Sequence, residues 1–230
     1  MIIEDISKRE FLKMLDSIET GFIYNYKGKM IKFDKTFAGQ MMTKKKINPS
    51  SSTDIKVDQI FWLSSLNSRI KNSSLPEGIV SYEHVPVGII YPHYFKNYKS
   101  LLELSNEDVK LLLSNLRRAI RNDIELTDNG IYNTDFALKN ALYRGSDVQL
   151  IDLDGKHIKR RENSNYAQAY SYFTPDMFMV IARKLVKIYG KENAEERIKE
   201  LKNIFMYYRQ MDRETPLMIL DEVEKSKILK

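Results

Sequence analysis

The sequence contains no cysteine, which excludes a disulfide framework, a thiolate nucleophile and a zinc–thiolate centre. Histidine is nearly absent too. His84, His93 and His157 are too widely scattered to suggest a histidine-rich metal site. No apolar run approaches the roughly 20 residues needed to cross a bilayer. The opening stretch MIIEDISKREF is charged throughout and has no signal-peptide core. The expectation is a cytoplasmic protein without a transmembrane segment. There is no internal repeat and no low-complexity tract beyond Lys44-Lys45-Lys46.

What is present suits an ordinary globular chain. At 230 residues it can form one sizeable domain or two small lobes. Its 37 basic and 31 acidic side chains leave a net charge of +6, which favours an anionic ligand or partner. Nucleotide, nucleic acid and lipid headgroups all satisfy that condition.

Patterning divides the chain into a β-rich first part and a helical second part. Residues 4–17 predict an amphipathic helix capped by Ser7 with Glu10. Phe22-Ile23-Tyr24 and Met30-Ile31-Lys32-Phe33 predict a hairpin around Asn25-Tyr26-Lys27-Gly28. Residues 40–52 read as a loop, and Ser52 or Thr53 is placed to cap a helix over 54–71. Two antiparallel strands are expected at 78–82 and 87–91, the second ended by Pro92. A long helix over 106–126, capped by Ser105 with Asp108, presents Val109, Leu112, Leu113, Leu116 and Ile120 on one side. Beyond residue 154 the chain is polar and basic without clear period. Thr174-Pro175 then opens helices at 175–189, 192–210 and 216–227.

The chemically suggestive stretch is TDNGIYNTDFALKNALYRGSDVQLIDLDG, residues 127–155. Asp135 and Asn140 stand in the spacing Asp-x-x-x-x-Asn, and the run Val148-Gln149-Leu150-Ile151 closes on Asp152. On their own, Asp135 and Asn140 also suit turn caps, and Asp152, Asp154 and Gly155 a plain β-turn. In this order, with Lys32 on an upstream strand and a proline after the strand pair, the segment resembles the protein-kinase superfamily and its small-molecule kinase relatives.

That resemblance implies an α+β, protein-kinase-like two-lobe fold: a small β-rich N-lobe with one helix at 1–94, and a mainly helical C-lobe at 95–230. It implies a phosphotransferase that uses ATP and Mg2+ on an unknown acceptor, a protein hydroxyl or a small molecule. Asp135 would be the catalytic base, and Asn140, Asp152 and Asp154 would hold the metal. Lys32 would grip the phosphates, with Lys44, Lys45 or Lys46 as competitors. The backbone around Gly21 would cover the phosphates, and residues 90–93, including Tyr91 and His93, would meet the adenine.

Several departures bear on activity. A single Gly21 stands where three glycines are usual. Asn133-Thr134 replace His-Arg, which removes the usual partner of a phosphorylated activation loop. The helix expected over 54–71 has no glutamate to pair with the lysine, Asp58 or Gln59 being the nearest substitutes. The alternatives are therefore a pseudokinase or regulatory module that binds a nucleotide or partner without catalysis, and a basic nucleic-acid-binding protein. Against the last, the basic residues are dispersed and no nucleic-acid reading motif is present.

Overall fold

The computed structural model describes residues 2–15, 23–26, 28–33, 55–92, 95–153, 158–160, 166–208 and 212–230. It divides into two compact units, one comprising Met1–Lys96 with Asp152–Lys156, the other Asn97–Ile151 with His157–Lys230. The fold is α+β.

The first unit is built on a mixed five-stranded sheet. Its strands are β1 (Ile2–Asp5), β2 (Ile23–Tyr26), β3 (Lys29–Phe33), β4 (Gly78–Tyr82) and β5 (Val85–Tyr91), in the order β1-β4-β5-β3-β2. β1 runs parallel to β4, and the other pairings are antiparallel. Helix α1 (Lys8–Leu15) starts later than expected because residues 2–5 are taken into the sheet. Its capping box is formed: Glu10 N–H donates to Ser7 Oγ, and Ser7 N–H donates to Glu10 Oε2. Helix α2 (Val57–Ser65) starts after Lys56, which makes no side-chain cap; Ser52 and Thr53 lie outside the described residues.

Strand alternation sorts the side chains of this sheet into two apolar clusters. Ile31 and Phe33 join Phe11 and Met14 of α1 on one, with Val80 and Ile90. Met30, Ile79, Ile89 and Tyr91 join Ile60 of α2 on the other. A Cβ at Gly88 would sit 3.2 Å from both Ile31 Cγ2 and Phe33 Cδ1, and 3.3 Å from the Lys32 carbonyl. Gly88→Val should therefore overpack the first cluster and lower stability by about 1–3 kcal/mol. The measurement is the urea midpoint at unchanged slope, and an unmoved midpoint would contradict the packing argument.

The second unit is mainly helical. Helix α3 (Val109–Asp128) is capped by the Asp108 side chain, which accepts from Leu111 N–H at 2.7 Å. The expected cap, Ser105, instead belongs to a preceding 3-10 turn (Leu101–Asn106) that Ser100 and Glu103 close with their own capping box. Strand β6 (Lys99–Ser100) pairs with β8 (Ala141–Arg144), which turns at Gly145-Ser146 into β9 (Asp147–Leu150). Asn115 and Asn122 of α3 donate to the carbonyls of Gly145 and Val148, both at 2.9 Å, and tie this hairpin to the helix. Within the basic stretch, β10 (Ile158–Arg160) pairs antiparallel with β7 (Ile131–Asn133), an element that the sequence pattern did not predict.

Helix α4 (Tyr166–Tyr189) begins a full two turns before Thr174-Pro175, so Pro175 lies inside it rather than opening it. Its first turns form because Tyr170 and Phe173 are spaced to bury one face. Helices α5 (Lys191–Tyr207) and α6 (Thr215–Lys225) follow, separated from α4 by Gly190 and by the turn before Thr215. Among the described residues no helix is long and apolar enough to cross a membrane.

Candidate functional site

Within the first unit, Lys32 follows Met30 by two on β3 and so shares the sheet face covered by α2. It lies in register with Ile89 of β5. Its ammonium donates to Oδ1 of Asp152, a residue that packs with this unit although it follows β9 in sequence. Asp152 has φ of 64°, a left-handed backbone that Asp and Asn tolerate better than other non-glycine residues. The carboxylate that Lys32 meets is thus the candidate metal ligand itself. Asp58 is exposed on α2, and Gln59 is half-buried. Tyr91 is 1% exposed, in the cluster with Met30 and Ile79. Any role it has toward a base therefore falls to its main chain. Gly21, His93 and Asp154, like Lys44, Lys45 and Lys46, lie outside the described residues.

Within the second unit, Asp135 and Asn140 are in direct contact. The loop between them starts where β7 ends, and Asn133 Oδ1 accepts from the Asp135 N–H at 3.0 Å, an Asx turn. Asn140 Nδ2 donates to the Asp135 carbonyl at 3.0 Å and to Asp135 Oδ2 at 3.2 Å. Lys139 Nζ lies 4.0 Å from the same Oδ2. Asp135 Oδ1 has no hydrogen-bond partner among the described residues, and its side chain is 22% exposed. One oxygen is therefore held and the other is open to a donor. With its Nδ2 engaged, Asn140 keeps its Oδ1 available, the atom by which an amide binds a hard cation.

Three side chains of α4, Tyr170, Phe173 and Asp176, hold this loop in place. Phe136 stacks on Phe173 of α4 with ring centroids 4.3 Å apart and planes 9° from parallel. Tyr170 meets Phe136 edge-on at 5.8 Å. Asp176 Oδ2 accepts from Leu138 N–H at 3.2 Å, and Ile151 N–H donates to the Asn140 carbonyl at 2.9 Å. Tyr170 and Phe173 are thus buried in the second unit's own core, while Tyr172 is 57% exposed.

Among the described residues, no group of three or more His, Cys, Asp or Glu side chains is placed to hold a metal ion. Asp152 in the first unit offers a carboxylate and Asn140 in the second an amide oxygen, and each by itself is a hard oxygen donor of the kind magnesium takes. They fit magnesium better than zinc or copper.

No protein-family model matches the sequence, and no curated protein matches it. Among solved structures, the chain is similar to a divergent kinase that lacks the glycine-rich loop and regulates membrane ultrastructure of the Toxoplasma parasitophorous vacuole. The alignment covers 99% of this chain and 87% of that one, with a TM-score of 0.53 and 13% identity. At that identity the likeness is one of fold. It makes the architecture kinase-like and leaves the chemistry to be argued from the residues.

Proposed function

We propose that this chain is an ATP- and magnesium-dependent phosphotransferase acting on a hydroxyl acceptor. The observation that carries the reading is the Asp135–Asn140 contact, which fixes one carboxylate oxygen and leaves the other free. In this role Asp135 Oδ1 accepts the hydrogen bond of the acceptor hydroxyl, orients its oxygen toward the phosphorus and takes its proton as the bond forms. The Asn140 amide and the Asp152 carboxylate supply metal ligands, and Lys32 supplies charge to the phosphates. A magnesium ion held there would supply positive charge to the phosphoryl oxygens. Sparse glycine around Gly21 is compatible with this role, because the similar solved structure is itself described as a kinase lacking the glycine-rich loop.

A second reading, nucleotide or partner binding without chemistry, is favoured by one observation: α2 carries no glutamate, and the Lys32 ammonium rests on Asp152. Thermal unfolding with ADP or ATP, with and without magnesium, separates the two. Ligand at about a hundred times its dissociation constant should stabilise the protein by about 2.7 kcal/mol. Asp152→Asn keeps a residue that tolerates the left-handed backbone and removes the charge. Under the phosphotransferase reading, stabilisation requires magnesium and Asp152→Asn abolishes the magnesium dependence. Stabilisation by nucleotide alone supports the second reading, and no shift with any nucleotide refutes the phosphotransferase and leaves partner binding.

A further inference from the structure

The second unit carries an apolar furrow that the Asp135 loop does not use. At one end lies a cavity of about 680 Å³ between the 3-10 turn and the middle of α4, floored by Leu102, Phe178, Met179, Ala182 and Val186 with Ile198 of α5. At the other lies a cavity of about 470 Å³ between α4 and α5, lined by Pro175, Phe178, Phe205 and Met206. Phe178 lines both, so the two cavities adjoin along α4, and its ring meets Phe205 edge-on at 5.3 Å. Met206 is 53% exposed and Val186 37%, an apolar surface open to solvent.

The rim of this trough is cationic. Arg183 and Lys202 are exposed and have no ion-pair partner among the described residues. Lys187 is anchored to the 3-10 turn by two neutral oxygens, Asn106 Oδ1 and Ser105 Oγ, and so keeps its charge uncompensated by them. The one carboxylate on the lining, Glu103, is engaged by the Ser100 N–H at 3.3 Å. From residue 174 to residue 186 the trough follows α4 for about 18 Å, the length of roughly three helical turns. An apolar strip of that length along one helix fits the ridge of a second helix laid against it.

We propose that this trough docks an acidic amphipathic helix of a partner protein. The helix lays apolar residues spaced i, i+3, i+4 and i+7 over Phe178, Met179 and Ala182, and sets Glu or Asp against Arg183, Lys187 and Lys202. None of these side chains belongs to the Asp135 loop.

The test is selection on the full chain of a displayed library of helices about 14 residues long, roughly four turns. Leucines are fixed at the apolar spacing, and the polar positions are randomised among Glu, Gln and Lys. Enrichment of Glu over Lys is expected. The best synthetic member should bind about tenfold more weakly to the Arg183→Glu, Lys202→Glu double variant by fluorescence anisotropy, and more weakly as salt is raised. Because both side chains are exposed, circular dichroism should show the variant folded. A library that enriches Lys, shows no charge preference, or yields helices whose affinity survives the double variant overturns the proposal. So does a variant-sensitive attachment to phosphatidylserine vesicles with no helix enriched, which would make the face a lipid surface.

Discussion

Asp123→Asn is expected to stabilise the protein at pH 8 and to remove part of its pH dependence. Asp123 lies on α3, is 3% exposed, and its Oδ1 has no hydrogen-bond partner. Burial pushes its carboxyl from the usual 3.8 up to about 7, and a hydrogen bond from Tyr170 offsets only part of that rise. Tyr170 has one proton to give, and its hydroxyl also lies 3.2 Å from the Arg213 carbonyl, to which it donates. A protonated Asp123 resolves this competition by donating to the tyrosine oxygen while the tyrosine donates onward.

Because the folded pKa lies above the unfolded one, the native state holds the extra proton between the two. Its stabilisation is complete below about pH 4 and is lost as pH rises toward about 7. The loss is on the order of 4 kcal/mol. Asparagine has the same shape and no proton to lose. Urea unfolding of both proteins at pH 4, 6 and 8 should therefore show a difference that grows with pH in favour of the variant. The other carboxylates titrate alike in both and cancel. A difference that stays constant from pH 4 to 8 would mean that Asp123 is ionised throughout.

Asp135→Asn should lower phosphoryl transfer from ATP by about 10²–10⁴-fold, the range for a lost general base. The amide preserves volume and still lets Asn140 donate to the side chain, so the loop should keep its shape. What disappears is the open carboxylate oxygen. With the acceptor unidentified, water serves as acceptor, and release of labelled phosphate from γ-labelled ATP gives the rate. The magnesium-dependent thermal shift should survive, which separates loss of chemistry from loss of binding. Equal rates for wild type and variant would remove Asp135 from the mechanism and leave the contact with Asn140 as a structural turn.

How far these features could be read from the chain depends on how local they are. The Ser7–Glu10 box and the β2–β3 hairpin were legible because their partners are a few residues apart. The strand β1 was not, since its parallel partner is 76 residues away in register, Ile2 against Gly78. The turn joining β4 to β5 uses Glu83 and His84, both at positive φ, without the glycine or asparagine that would mark it. Pro175 looked like a helix start, which is where proline is common, and burial of Tyr170 and Phe173 carried the helix back through it. At the candidate site, the Asp135–Asn140 spacing was visible. Phe136 on Phe173 and Asp176 on Leu138 N–H were not, because they join segments that only the fold brings together.

The position of Pro175 has a mechanical consequence. A proline offers no N–H to the carbonyl four residues earlier, so the backbone ladder of α4 is weakest in the turn that contains it. The two supports of the Asp135 loop stand on opposite sides of that turn, Tyr170 and Phe173 before it and Asp176 after it. A bend there would displace Tyr170 against Asp176, the contacts on either side of it. Pro175 and Phe178 also line the trough, so whatever fills it would touch α4 in that same turn.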